Sequence, residues 1–157
     1  MKIGDIVRLV VSIIVCYLPA LGGLSMESGE GSWYQQLTKP ALNPPGWLFG
    51  PVWTALYLMM GIALYLVWSR AGRPGVSLAI GVFAVQLLLN GLWTPAFFGM
   101  QSPATGLMVI IPMWFGILAS IILFWRISVT AGALLIPYLA WVSFATYLNS
   151  AIWWLNR

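Results

Sequence analysis

Five apolar stretches, each of about 20 residues or more, constrain this chain more tightly than any motif in it. They run over about 6–26, 47–69, 76–98, 104–124 and 129–155. A helix rising 1.5 Å per residue needs about 20 residues to cross hydrocarbon about 30 Å thick. Backbone inside lipid must satisfy its own hydrogen bonds, so each stretch is expected to be helical. The fold expected is an all-α membrane protein, residues 1–157 forming a single bundle of five transmembrane helices. Composition agrees: 61% of residues are hydrophobic and 6% charged, where soluble domains carry about 25% charged residues. The connections 70–75, 99–103 and 125–128 are too short for a second domain. Only the loop 27–46 is long. It begins with the flexible Glu27-Ser-Gly-Glu30 and ends with Lys39-Pro-Ala-Leu-Asn-Pro-Pro-Gly46, which cannot be helical throughout. No internal repeat is visible, so inverted-repeat transporter designs find no support.

The first stretch also has features of a signal peptide: Lys2 and Arg8 precede it, and Leu18-Pro-Ala20 partly resembles a cleavage site. The apolar run continues to Met26, and it is read as a span. Orientation then follows from the basic residues. Lys2, Arg8, Arg70, Arg73 and Arg126 fall on one side, and Lys39 and Arg157 on the other with Glu27 and Glu30. This bias predicts a cytoplasmic amino terminus, with the long loop and carboxyl end outside. The net charge of +4 is thereby assigned to membrane orientation, and no nucleic-acid partner is expected. The single cysteine, Cys16, can form no internal disulfide.

Absent chemistry narrows the function. The chain has no histidine, and no Asp, Glu or Lys lies deep in a span. Ion coupling ordinarily needs an intramembrane ionisable group, so an ion-driven pump is disfavoured. Haem ligation loses its commonest ligand, and a hydrolase has neither histidine base nor paired carboxylates. No catalytic residue and no metal site is expected. Aromatic rings and amides remain, and they are ordered. Gln86, Asn90, Trp93 and Phe97 form one stripe of the third span at about 100° per residue. Tyr138, Trp141, Ala145 and Asn149 do the same in the fifth, and Trp53 and Tyr57 lie four apart in the second. Amides deep in a bundle face a partner or a cavity, so the stripes either glue helices together or line a pocket for a flat apolar ligand with a polar edge.

A family resemblance covers the chain from Trp33 to Trp153. Trp33-Tyr34, Leu37, Lys39-Pro40, Pro44-Pro45, Gly50-Pro-Val-Trp-Thr54 and Leu56-Tyr57 resemble the signature of the tryptophan-rich sensory protein family. This is the family of the mitochondrial translocator protein, or peripheral benzodiazepine receptor. Asn90-Gly-Leu-Trp-Thr-Pro95 and Phe97-Phe-Gly99 are similar to its third helix. Pro137-Tyr-Leu-Ala-Trp141, Phe144-Ala-Thr146 and Leu148-Asn149 are similar to its fifth. The resemblance implies a receptor or carrier for porphyrins such as protoporphyrin IX, and in some members for benzodiazepine-type drugs, in a pocket capped by the first loop. Porphyrin is then a ligand, with no cofactor required. The implied pocket positions are Trp33, Tyr34, Trp47, Trp53, Asn90, Trp93, Tyr138, Trp141, Ala145 and Asn149, to which the stripes add Tyr57 and Gln86. Lys39 is the basic residue of the lid available to porphyrin propionates. The short termini imply a bacterial-type member in the cell membrane. Two other readings stand beside this one: a light-dependent porphyrin-degrading enzyme, and a structural or assembly protein without ligand.

The sequence also departs from the family pattern. Ala41-Leu42 stand where many members carry tryptophan, giving a less aromatic lid. A carboxyl-terminal sterol motif is incomplete, since Arg157 lies too far beyond Val142 and Tyr147. On the third span, Val85 and Leu88 fall within about 40° of Gly81, and Ala84 about 60° to one side, opposite the amide stripe. Small residues let helices approach closely in lipid, so a homodimer through this face is expected.

Overall fold

The computed structural model describes residues 2–23 and 31–157. Glu27 and Glu30, and the end of the first expected span at 24–26, lie outside the described residues. Among the described residues every regular element is a helix. The helices are α1 (Ile3–Tyr17), the short α2 (Trp33–Gln36), α3 (Phe49–Trp68), α4 (Val76–Thr94), α5 (Pro103–Ile127), α6 (Val129–Leu134) and α7 (Ile136–Leu155). A tight turn, Leu18–Gly23, extends α1, and another, Gly46–Leu48, leads into α3. Five helical segments are long and apolar enough to cross a membrane: Ile3–Gly23, Gly46–Trp68, Val76–Gly99, Pro103–Ile127 and Val129–Leu155. The protein is therefore an integral multi-pass membrane protein built as a five-helix bundle.

Prolines shape the spans. Pro137 has no N–H for the carbonyl four residues back, so the fifth span breaks at Leu135 between α6 and α7. Pro95 likewise forces a wide turn at the end of the third span, where the amide of Met100 reaches the Pro95 carbonyl (3.0 Å) and that of Ser102 the Phe97 carbonyl (3.1 Å). Ser102 and Ser128 then restart the chain, their hydroxyls accepting from the amides of Thr105 (3.3 Å) and Ala131 (3.4 Å).

Close packing depends on glycine. A Cβ on Gly61 would lie 2.7 Å from the Cα of Ile13, so α1 meets α3 backbone to backbone. A Cβ on Gly116 would lie 2.9 Å from the Cβ of Gln86, which seats α5 directly on α4. Phe83 and Phe124 stack between those two helices with ring centres 5.2 Å apart, both buried. The first span is the least enclosed: Ser12, Cys16 and Pro19 are its buried residues.

At one end of the bundle the loop is fastened to α7. Asn156 Nδ2 donates to the Thr38 carbonyl (2.9 Å), and the Thr38 amide donates to Asn156 Oδ1 (2.9 Å). The loop and the end of the last helix therefore share one side, as five crossings require.

Candidate functional site

Two cavities adjoin one another, and the smaller of them meets the loop at Tyr34. The larger, of about 540 Å³, is enclosed by Tyr17, Pro19, Ala20 and Gly23 of the first span and by Phe49, Trp53 and Tyr57 of α3. Asn90 and Trp93 of α4, Ile110 and Met113 of α5, and Trp141 and Ala145 of α7 complete its wall. The smaller, of about 290 Å³, sits against Tyr34 of the loop and is lined by Phe97, Phe98, Leu148, Asn149 and Ile152. Phe49, Trp53, Trp93 and Ala145 border both. These volumes fall at or near the range of small-molecule sites, about 300–1,000 Å³.

The walls are aromatic and their geometry is fixed by packing. Trp53 stacks on Tyr57 with ring centres 5.2 Å apart, four residues placing both on one face of α3. Trp93 stacks on Phe97 at 5.2 Å, and the wide turn at Pro95 carries Phe98 edge-on to the same ring. Trp93 Nε1 donates to Asn149 Oδ1 (3.1 Å), while Asn149 Nδ2 donates to the Pro103 carbonyl (2.8 Å). The Nε1 of Trp141 is buried and meets no acceptor among the described residues.

Behind the larger cavity runs a chain of four side chains. Tyr57 donates to Asn90 Oδ1 (3.0 Å), Asn90 Nδ2 donates to the Tyr138 oxygen (2.7 Å), and Tyr138 donates to Gln86 Oε1 (2.9 Å). Tyr57 and Asn90 line the cavity; Tyr138 and Gln86, both wholly buried, do not.

The loop closes over Tyr34. Its hydroxyl donates to Asn43 Oδ1 (3.3 Å), and its ring packs on Phe97 and Phe98. Burial holds this phenol above its ordinary pKa, partly offset by the bond to Asn43. The Lys39 ammonium stands 4.7 Å from the centre of the same ring.

The structure thus brings Tyr34, Trp53, Tyr57, Asn90, Trp93, Trp141, Ala145 and Asn149 onto the cavity walls. Trp33 lines neither cavity and packs edge-on against Phe97 at 5.7 Å, behind the wall. Gln86 and Tyr138 were expected in the wall and instead lie beneath it, because the lower halves of the two stripes turn toward each other. Trp47 is 73% exposed and lines neither cavity. Phe49, Trp53 and Tyr57, spaced by four, take the inner face of α3, whereas Trp47 belongs to the tight turn Gly46–Leu48 ahead of that helix and is turned outward. The wall from the first span escaped the sequence reading: Pro19, Ala20 and Gly23 contribute backbone and small groups, and Tyr17, whose hydroxyl donates to the Thr54 carbonyl (2.6 Å), is a lone aromatic on α1 with no stripe around it. Phe49 could have been found by extending the Trp53–Tyr57 spacing back one turn.

A multi-pass helical membrane protein with an aromatic-walled cavity among its helices is the class that this architecture defines. Residues 9–155 match the TspO/MBR family, and the chain belongs to it. It is 44% identical over 154 residues to the tryptophan-rich protein TspO of Chlorobaculum tepidum, covering 97% of this chain and 98% of that one. It is 40% identical over 153 residues to the tryptophan-rich protein TspO of Archaeoglobus fulgidus, covering 97% and 99%. The translocator protein of Homo sapiens is 38% identical over 141 residues, covering 86% of this chain and 83% of the human one.

Proposed function

We propose that the protein is a membrane receptor or carrier that binds porphyrins such as protoporphyrin IX, and related flat hydrophobic ligands, in the two adjoining cavities. The observation that carries this reading is the convergence of Trp53, Trp93 and Trp141 on one cavity whose polar edge is Tyr57 and Asn90. Flat indole faces offer large stacking area to a planar macrocycle. The amide and hydroxyl give its polar atoms a place to bind. Lys39, held over Tyr34 at the smaller cavity, is positioned to meet a propionate leaving the cavity toward water. Family membership supports a sensory or carrier role, since relatives bear the names tryptophan-rich sensory protein and translocator protein.

The same reading takes the membrane to be a bacterial cell membrane and, from the excess of basic residues at 2, 8, 70, 73 and 126 over 39 and 157, puts the amino terminus in the cytoplasm. It also pairs two copies through α4, whose Gly81, Ala84, Val85 and Leu88 are all exposed on one face. Benzodiazepine-type drugs are proposed to compete for the porphyrin site.

Titrating the purified protein with protoporphyrin IX, in the dark and then in light, tests the assignment. Saturable quenching of tryptophan fluorescence with a shifted porphyrin absorbance supports binding. A product formed only in light would move the protein to the enzyme class. No saturation in either condition would leave a structural role.

A further inference from the structure

We propose that Gln86 is a specificity-determining residue that sets whether the cavity presents a hydrogen-bond acceptor or a donor to its ligand, without touching that ligand. The inference rests on the larger cavity being a ligand site. Its basis is the direction of the chain Tyr57→Asn90→Tyr138→Gln86, in which every donor points away from the cavity. A hydroxyl has one hydrogen to give. Because Tyr138 gives its hydrogen to Gln86, its oxygen must accept from Asn90 Nδ2. That turns Asn90 Oδ1 toward Tyr57, which gives up its own hydrogen. Tyr57, at the cavity wall, is then left with lone pairs only.

The direction is set at the far end. Gln86 is wholly buried, and its Nε2 has no partner among the described residues. The oxygen and nitrogen ends of an amide have nearly the same shape, and turning Gln86 over would put Nε2 against Tyr138. Tyr138 would then donate to Asn90, Asn90 would turn and donate to Tyr57, and the Tyr57 hydrogen would point into the cavity. In both directions each internal link is kept and one end of the Gln86 amide stays unpaired. The chain therefore has two coherent states, and the way the buried amide faces determines which one Tyr57 presents; the state observed has Oε1 toward Tyr138. The Cα–Cβ stem of Gln86 is pinned by Gly116, which leaves the terminal amide as the part that can turn.

Three flat molecules of similar size read the direction: indole, which donates; quinoline, which accepts; and naphthalene, which does neither. Affinities of the full-length protein for indole and quinoline are taken relative to naphthalene and compared between variant and unaltered protein, so that each ligand's lipid partitioning drops out and changes of cavity shape common to all three cancel. Gln86→Met removes the acceptor for Tyr138, so the chain should reverse and leave Tyr57 donating outward. The quinoline-to-indole ratio should rise about tenfold, the effect of gaining one net hydrogen bond for one ligand and losing it for the other. Tyr138→Phe cuts the chain one link nearer the cavity with Gln86 intact, and should move the ratio the same way. A purely structural role would weaken all three molecules together. Unchanged ratios in both variants, with naphthalene still bound, would overturn the proposal. If the unaltered protein binds protoporphyrin IX but none of the three bicyclic molecules, this inference falls and the porphyrin site stands; if it binds neither, both fall.

Discussion

At the residue scale, the wall separates side chains that offer a face from those that hold the face still. Trp141 borders the larger cavity, and Asn90 is both wall and link in the buried chain. Replacing either with Ala should weaken protoporphyrin binding by about 1–3 kcal/mol, through lost stacking surface or an unpaired polar partner. Fluorescence titration of the folded variants checks this, and wild-type affinity in both would remove these residues from the site. Trp53, Tyr57, Asn90, Trp93, Trp141, Ala145 and Asn149 were legible from spacing, because amides and aromatics at helical intervals cannot all face lipid, whereas the aliphatic and small residues of the wall carry no such period. What spacing could not resolve is depth along a stripe. Gln86 and Asn90 are four residues apart on one face, yet one is sealed in the core and the other reaches the cavity. That division depends on where α4 meets α7, which no local pattern encodes.

At the element scale, hydrophobic length was enough to find all five spans, and proline explains where they depart from regular helices. The break at Leu135 was missed because hydropathy stays high through it, although Pro137 was the signal that could have placed it. Glycines that permit close approach were likewise invisible as such, since a glycine facing a helix and one facing lipid look alike in sequence. Gly61 and Gly81 illustrate the difference. A side chain at 61 would strike the Ile13 backbone, whereas one at 81 meets nothing within 4 Å. Gly61→Val should accordingly destabilise the folded protein by about 1–3 kcal/mol, measurable as a lower thermal midpoint in detergent. Gly81→Ile combined with Ala84→Ile should leave the protomer folded and ligand-binding but monomeric. Cross-linking in native membranes that stays dimeric after those changes would put the interface elsewhere.

At the scale of the whole molecule, five crossings fix the loop and the carboxyl end on one side, and the Asn156–Thr38 clasp joins them there. With the amino terminus proposed to be cytoplasmic, reporter fusions after residue 157 should read as extracytoplasmic; a cytoplasmic signal would overturn the proposed orientation. The contact between Gly116 and Gln86 reaches further. Gly116 borders neither cavity, yet adding a single methyl group there would press on the Gln86 stem. Two proteins with the same cavity wall, residue for residue, could thus prefer different ligands because of one methyl group on a helix face that no ligand meets. On the proposed role of Gln86, variation at such a position shifts ligand preference and leaves no trace in a comparison of the lining residues.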